Sequence, residues 1–375
     1  MRDNRSTIAM ALLIVALTLL MMTVIASADP RIGVSARAAA LYEPWTDTFV
    51  YTKNANDRLP MASTTKIMTA LLAIEEGDLS SRVLVDDEDV GIEGSSLYLK
   101  PGDELSLKDL VYSLLLQSAN DAACVIAKYI SGSCEGFVEL MNKRAGELGL
   151  SDTSFANPHG LDDEEHYTTA RDLAILASTA MSNKTFESIA STYRYSFYVC
   201  GKKRTVVNHN KLLNRYEGAI GVKTGYTKRS GRCLVSSAER DGVTLICVTL
   251  DAPDDWRDHT MLLDEGFQSF ESVDPASLSD LHFEIPVINT KGKSSITAIA
   301  DLPESFKLIK LKGSENLRAC VDLDQFIVAP ISTGDKVGEI TYMTGDEEYG
   351  RIDIIAAEEA EEAKRHNIFD FIFRR

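Results

Sequence analysis

Three short stretches place hydroxyl and amine side chains where nucleophilic chemistry could occur. "MASTTKIMTA", Met61 to Ala70, carries a hydroxyl at Ser63 and an amine at Lys66. If a helix starts here, residues three apart share a face and the two groups are neighbours. An ordinary helix start accounts for the same residues, because hydroxyl side chains satisfy the free backbone N–H groups there. "SAN" follows at Ser118–Asn120 and "KTG" at Lys223–Gly225. Each is weak alone, and "SEN" at Ser314–Asn316 matches S-x-N equally well. Order and setting carry more: S-x-x-K opens a predicted helix, S-x-N interrupts a helical region, and K-T-G lies on a predicted strand before a Gly-rich turn. A serine hydroxyl is a weak nucleophile until a neighbour takes its proton. Lys66 can be that neighbour if it is neutral, and burial beside a second cation such as Lys223 removes part of its preference for charge.

The elements that must position these groups are legible from hydrophobic spacing. Two apolar runs flanking "EPWTD", between Gly33 and Lys53, predict a β-hairpin. Helical patterns follow at "TKIMTALLAIEEG", through "LSLKDLVYSLLLQSANDAACVIAKYISGS" with a break near "QSAN", and at "GFVELMNKRAGELGL" and "TTARDLAILASTAMSN". "IGVKTGYT", "GRCLVSSA" and "VTLICVTL" predict strands joined by tight turns, and "HTMLLDEGFQSF" predicts a helix. Strands at both ends with helices between imply one α/β domain whose largely antiparallel sheet joins N- and C-terminal strands. From Leu281 to about Ile355 the texture becomes short alternating segments separated by Gly, Pro and Asp, which predicts a small all-β domain. The tail "AAEEAEEAKRHNIFDFIFRR" is helical in pattern, and its end fits either a membrane interface or a helix docked on the protein.

Bulk properties narrow the classes. The 375 residues suffice for two domains, and 45% hydrophobic with 25% charged residues is ordinary for a globular chain. A net charge of -17 argues against nucleic acid as a partner, because neutralising phosphates needs a basic face. "MRDNRS", the apolar run "IAMALLIVALTLLMMTVI" and "ASA" before Asp29 read as a secretory signal spanning residues 1–28. The run also reaches the lower limit for a bilayer span, so an uncleaved anchor is the other reading, and both imply export. Six cysteines spread through a core-rich chain predict mostly buried thiols rather than a disulfide framework. With a two-residue turn in "ERDG", Cys233 and Cys247 fall on opposite sheet faces and should not bridge.

The motif set, in its order, resembles the active-site signature of penicillin-recognising serine acyl-transfer enzymes. "ASTTKIMTALLA", "EGSSLYLKPGDELSLKDLVYSLLLQSANDAA", "LMNKRAGELGLSDTSFANPHGLDDEEHYTTARDLA", "NHNKLL" and "GVKTGYTKRSGRCLVSSA" extend the likeness across about Gly33–Phe270. The chain is similar to the serine D-alanyl-D-alanine carboxypeptidases, the low-molecular-mass penicillin-binding proteins. That resemblance implies a β-lactamase/transpeptidase-like α/β domain at 29–275, a β domain at 276–356 and an amphipathic tail at 357–375. It implies Ser63 as nucleophile, Lys66 as base, Ser118 relaying a proton and Asn120 holding substrate or Lys66. Lys223, Thr224 and Gly225 would bind substrate, with N–H groups of Ser63 and Tyr226 as the oxyanion site. No metal and no cofactor is needed. The implied partners are a peptidoglycan stem ending in D-Ala-D-Ala and β-lactam inhibitors, met on the extracytoplasmic side of the membrane.

One family feature fits less well. The arginine that often follows the last strand is matched only by Arg257 in "DAPDDWRDHTMLL", at an unexpected distance from the next Leu-Leu pair, and it is left out of the site. His159 and His166 read as organisers of a loop near the site rather than chemical groups. D,D-endopeptidase action on cross-links would use the same chemistry. A β-lactamase needs a fast deacylation base, and no E-x-E-L-N pattern lies between SAN and KTG. A non-catalytic wall-binding relative would not need every hydroxyl and lysine of the three motifs.

Overall fold

A computed structural model describes residues 33–303 and 306–363 of the chain. They form two units, one running to Arg240 and including Thr244–Phe267, the other comprising Asp241–Val243 and the residues from Gln268 onward. The expected signal at residues 1–28 lies outside the described residues.

The first unit begins with the expected hairpin, β1 (Ala38–Glu43) and β2 (Thr48–Lys53). A 3-10 turn at Ala62–Thr65 leads into α1 (Lys66–Glu76). Two short strands, β3 (Arg82–Leu84) and β4 (Glu104–Ser106), pair with each other before α2 (Leu107–Leu116), α3 (Asn120–Ser131) and α4 (Cys134–Glu147). The break at "QSAN" is therefore real, and Ser118 sits in it with φ +64. α5 (Ala170–Ser182) is followed by α6 (Lys184–Ala190) and by the hairpin β5 (Arg194–Val199) and β6 (Lys202–Val207), none of the last three anticipated. Then come β7 (Ala219–Thr227), β8 (Gly231–Arg240), β9 (Val243–Leu250) and α7 (Asp255–Ser269).

The five-stranded sheet has the order β2-β1-β9-β8-β7, joining the N-terminal hairpin to the late strands as expected. Strand alternation sorts its two faces. Ala38, Ala40 and Tyr42, Ile246, Val248 and Leu250, and Cys233 and Val235 join the core built with the helices. The residues between them face α7, whose Gly266 approaches Leu41 and Leu245 so closely that a Cβ there would lie 2.8 and 2.5 Å from their side chains. His259 of α7 is fully buried and its two ring nitrogens meet Ser236 Oγ at 2.6 Å and Thr249 Oγ1 at 2.9 Å. Cys233 and Cys247 thus belong to opposite faces, and all six cysteines are free thiols, three of them buried. β7 is the sheet's edge, which leaves one row of its backbone groups without a strand partner.

The second unit is all-β. β10 (Phe270–Val273) pairs with β13 (Leu308–Leu311). β11 (His282–Ile288), β12 (Ser295–Ala300), β14 (Leu317–Leu323), β15 (Ile327–Val328), β16 (Lys336–Thr344) and β17 (Glu347–Ala356) form a sheet of order β14-β16-β17-β12-β11-β15. Its inward residues, among them Ile285, Ile296, Ile340, Tyr342 and Ile354, make a separate apolar core. The helical pattern expected of the tail does not hold for residues 357–363. Ala360 bridges to Ile331 and Glu362 to Thr290, so this acidic run continues the strand pairing rather than winding into a helix. The basic, aromatic end from Lys364 lies outside the described residues.

Candidate active site

Ser63 stands in the 3-10 turn that opens α1, and Lys66 is the first residue of the α-helix itself. Lys66 Nζ lies 2.9 Å from Ser63 Oγ, 2.7 Å from Asn120 Oδ1 and 2.5 Å from the His159 carbonyl oxygen. Its side chain is fully buried. Burial, then the nearby Lys223 ammonium, pushes its pKa well below the ordinary lysine value. A neutral amine has two N–H donors and one lone pair. Asn120 Oδ1 and the His159 carbonyl can only accept, so both donors are committed to them and the lone pair faces the Ser63 hydroxyl.

The acceptors are themselves fixed. Asn120 donates through Nδ2 to the Glu93 carbonyl and through its backbone N–H to the Ser95 carbonyl at 2.7 Å. The neighbouring Asp121, almost fully buried, accepts from Ser96 Oγ and from the Leu97 and Leu99 N–H groups, pinning that loop to the start of α3. The "NPHG" loop is held by Asn157 Oδ1, which accepts from the His159 and Gly160 N–H groups, and by Thr69 Oγ1 donating to the Pro158 carbonyl. Gly160 has φ +89 and rests against the Ala62 carbonyl, where any Cβ would collide.

His166 ties that loop region to the serine's turn. The Ala156 N–H donates to its Nδ1, which leaves the proton on Nε2 for Thr65 Oγ1 at 2.6 Å, and Thr65 donates in turn to the Ala62 carbonyl. Burial lowers the His166 pKa to about 4 and the His159 pKa to about 3, so both rings are neutral near pH 7. Their contacts are those of loop organisers, as the sequence suggested.

β7 brings the third motif in from the sheet edge. Lys223 is buried, donates to the Thr224 carbonyl at 2.8 Å, and burial lowers its pKa to about 7. A Cβ on Gly225 would lie 3.0 Å from Ser63 N and 3.1 Å from Ala62 Cβ, so the glycine lets the strand approach the serine's turn. As one of the first N–H groups of a helical turn, Ser63 N–H has no acceptor within it. Ser63, Ser95, Ser118, His209, Lys211, Thr224, Gly225, Tyr226, Arg232, Asp255 and Trp256 line a cavity of about 310 Å³.

Seven of the eight sequence-predicted residues thus converge by contact or around this cavity, and the eighth, Lys223, is buried on the same strand. The carbonyls of Glu93 and His159 were not anticipated, because a backbone acceptor leaves no side-chain signature. Arg232, Asp255, Trp256, His209 and Lys211 were also missed. Arg257 is exposed on α7 and does not line the cavity. Among the described residues no cluster of His, Cys, Asp or Glu could hold a metal ion.

Comparison with known proteins identifies the family. The family model described as D-alanyl-D-alanine carboxypeptidase matches residues 23–254, and that described as penicillin-binding protein 5, C-terminal domain, matches 282–362. The D-alanyl-D-alanine carboxypeptidase DacF of Bacillus subtilis is 33% identical over 88% of this chain and 86% of its own. DacC of Escherichia coli, of the same name, is 32% identical over 92% and 89%. Penicillin-binding protein 5 of Haemophilus influenzae superposes with a TM-score of 0.64 at 26% identity, covering 88% of this chain and 99% of that structure. With more than half of its length matched and relatives of this identity along most of it, the chain belongs to the D-alanyl-D-alanine carboxypeptidase family.

Proposed function

We propose that the protein removes the terminal D-alanine from peptidoglycan stem peptides through an acyl-enzyme on Ser63. The observation that carries this reading is the Lys66 amine, buried, driven toward neutrality and aimed by two fixed acceptors at the Ser63 hydroxyl. Lys66 takes the hydroxyl proton as Ser63 Oγ attacks the D-Ala–D-Ala carbonyl. The developing oxyanion sits between the N–H groups of Ser63 and Tyr226, the first supported by its place in the turn and the second by β7 being an edge. Ser118 returns the proton to the departing amine, D-alanine leaves, and water then hydrolyses the acyl-enzyme. An extended stem peptide adds to the free edge of β7 as an extra strand, with Thr224 and Lys223 toward its carboxylate end.

β-Lactams acylate the same hydroxyl. Incubation of the purified protein with a fluorescent penicillin should label it covalently, and Ser63→Ala should abolish labelling. Equal labelling of both would sink the assignment. Release of D-alanine from diacyl-Lys-D-Ala-D-Ala separates a carboxypeptidase from a binder.

The substrate lies outside the cytoplasmic membrane, so the chain must act there. Export through residues 1–28 and association of residues 364–375 with the membrane surface extend the reading. No helix among the described residues is long and apolar enough to cross a membrane. Fractionating cells that express the chain with and without Lys364–Arg375 tests the association.

A further inference from the structure

We infer that the outer edge of β14 is a self-pairing surface: two copies of this chain join there antiparallel, about a two-fold axis at Cys320, into one continuous sheet. The inference concerns the β unit alone and does not depend on the carboxypeptidase reading. β14 ends the six-stranded sheet, with β16 paired along one side of it. Among the described residues no strand pairs on its other side, and no backbone group outside the sheet bonds to it. Such an open row of N–H and C=O groups is a template for another strand unless the edge is short, covered or distorted. β14 is none of these. It is seven residues long, its register with β16 runs from Leu317 to Leu323 without a bulge, and Arg318, Cys320, Val321 and Asp322 are exposed.

The strand's own sequence, "LRACVDL", selects a second copy as the partner. Pairing about Cys320 sets Arg318 opposite Asp322 of the second copy, Ala319 opposite its Val321 and Leu317 opposite its Leu323, each twice by symmetry. Leu317, Ala319 and Leu323 face the apolar core of the unit. Val321 shares that face by strand alternation yet is 43% exposed, because nothing beyond β14 covers it. Ala319 of the second copy would. On the other face, Asp322 has no ion-pair partner among the described residues and stands opposite Glu339 of β16, a like charge. Arg318 donates through Nη2 to the Gly345 carbonyl at 2.8 Å and lies 3.6 Å from the fully exposed Asp346. Its remaining guanidinium donors stay free for a second carboxylate. Opposite charges directly across an antiparallel pair attract and like charges repel, so the edge is complementary to itself. One strand pair buries less than a standard interface, which makes the dimer weak and concentration-dependent.

The test follows self-association by sedimentation velocity across a concentration series for the wild-type protein, Arg318→Asp, Asp322→Arg and the double variant. The wild type should shift from monomer toward dimer as concentration rises. Each single reversal sets like charges opposite one another twice per dimer and should weaken association on the order of tenfold or more. The double variant exchanges the two charges and should recover the wild-type association, which neither misfolding nor a purely structural role would produce. Facing Cβ atoms in such a pair lie about 4.5–5.5 Å apart, within reach of a disulfide. Diamide, which accepts the two thiol hydrogens, should therefore link the wild-type dimer through Cys320 of both copies, as located by peptide mass mapping. Cys320→Ser should lose the link and keep the association. A wild type that stays monomeric at every concentration overturns the inference. So does association that the single reversals leave unchanged, or a link formed through Cys200, the other exposed thiol, and not through Cys320.

Discussion

In the α/β unit charge is buried, and in the β unit it stays at the surface. Among the described residues, every buried polar or charged side chain falls between Glu43 and His259. They include Lys66, Lys223, Asp121, Asp255 and His166, which are the groups that build and brace the cavity. The β unit buries only apolar side chains and Tyr342, and its charges meet in exposed pairs such as Lys336–Asp353, Arg351–Glu348 and Lys293–Glu358. A buried charge is costly unless it is paired, so its presence points to chemistry, whereas surface pairs contribute little. The comparison locates the chemistry in one unit before any motif is invoked.

The largest effect should come from Lys66→Met, which keeps the volume and removes the lone pair. Penicillin acylation of Ser63 should slow roughly a thousandfold or more, the range for loss of a general base at a nucleophile. A stopped-flow acylation rate within tenfold of the wild type would show that another group activates the serine.

Lys223→Met should separate catalytic need from stability. The native pKa of Lys223 lies at about 7, below the unfolded value of 10.5. Between those limits the unfolded chain keeps a proton that the native chain has released, so native stability rises with pH across that window. Below about pH 7 the full cost of burying the amine is present, on the order of 5 kcal/mol from the shift. The variant should therefore melt higher than the wild type, with the gap widest below about pH 7 and narrowing toward pH 10. A gap that does not change with pH would mean that Lys223 titrates normally.

What the sequence made legible follows the same division. The long helices announced themselves through apolar residues at helical spacing, and β1, β8 and β9 through near-continuous apolar runs, since both of their faces are buried. The hairpin β5–β6 escaped although "YRYSFYVCGKKRTVV" holds its turn, Cys200–Gly201, both residues at positive φ. β5 alternates, with Phe197 and Val199 buried, but β6 opens on four exposed polar residues and carries no alternation to mark a second strand. In the site, side chains with chemistry of their own were found from motif order. The partners that aim them were not, since the His159 and Glu93 acceptors are carbonyls and Arg232 reaches the cavity only through the β7–β8 register. The tail misled because its acidic residues read as helical until strand bridges at Ala360 and Glu362 claimed them.

In the β unit a core truncation should cost stability without touching the chemistry. Ile354 is fully buried on β17 between Ala300 of β12 and Gly338 of β16. Ile354→Ala should destabilise this unit by roughly 2–4 kcal/mol, the usual range for such a cavity. The rate of Ser63 labelling below the melting transition should stay unchanged. A slowed label would show that the β unit tunes the serine.

The smallest effect should be that of Lys336→Ala. Lys336 Nζ meets Asp353 at 2.6 Å and Glu339 at 3.0 Å, a geometry that looks strong on distance alone. Both carboxylates raise its pKa, but the group is fully exposed, and water and salt screen what the distances suggest. Holding a long side chain in one arrangement also costs rotamer entropy that offsets the attraction. The melting midpoint of the variant should be indistinguishable from that of the wild type at physiological ionic strength. A clear drop that vanishes in high salt would mean that Glu339, Asp353 and Arg351 act with Lys336 as a network.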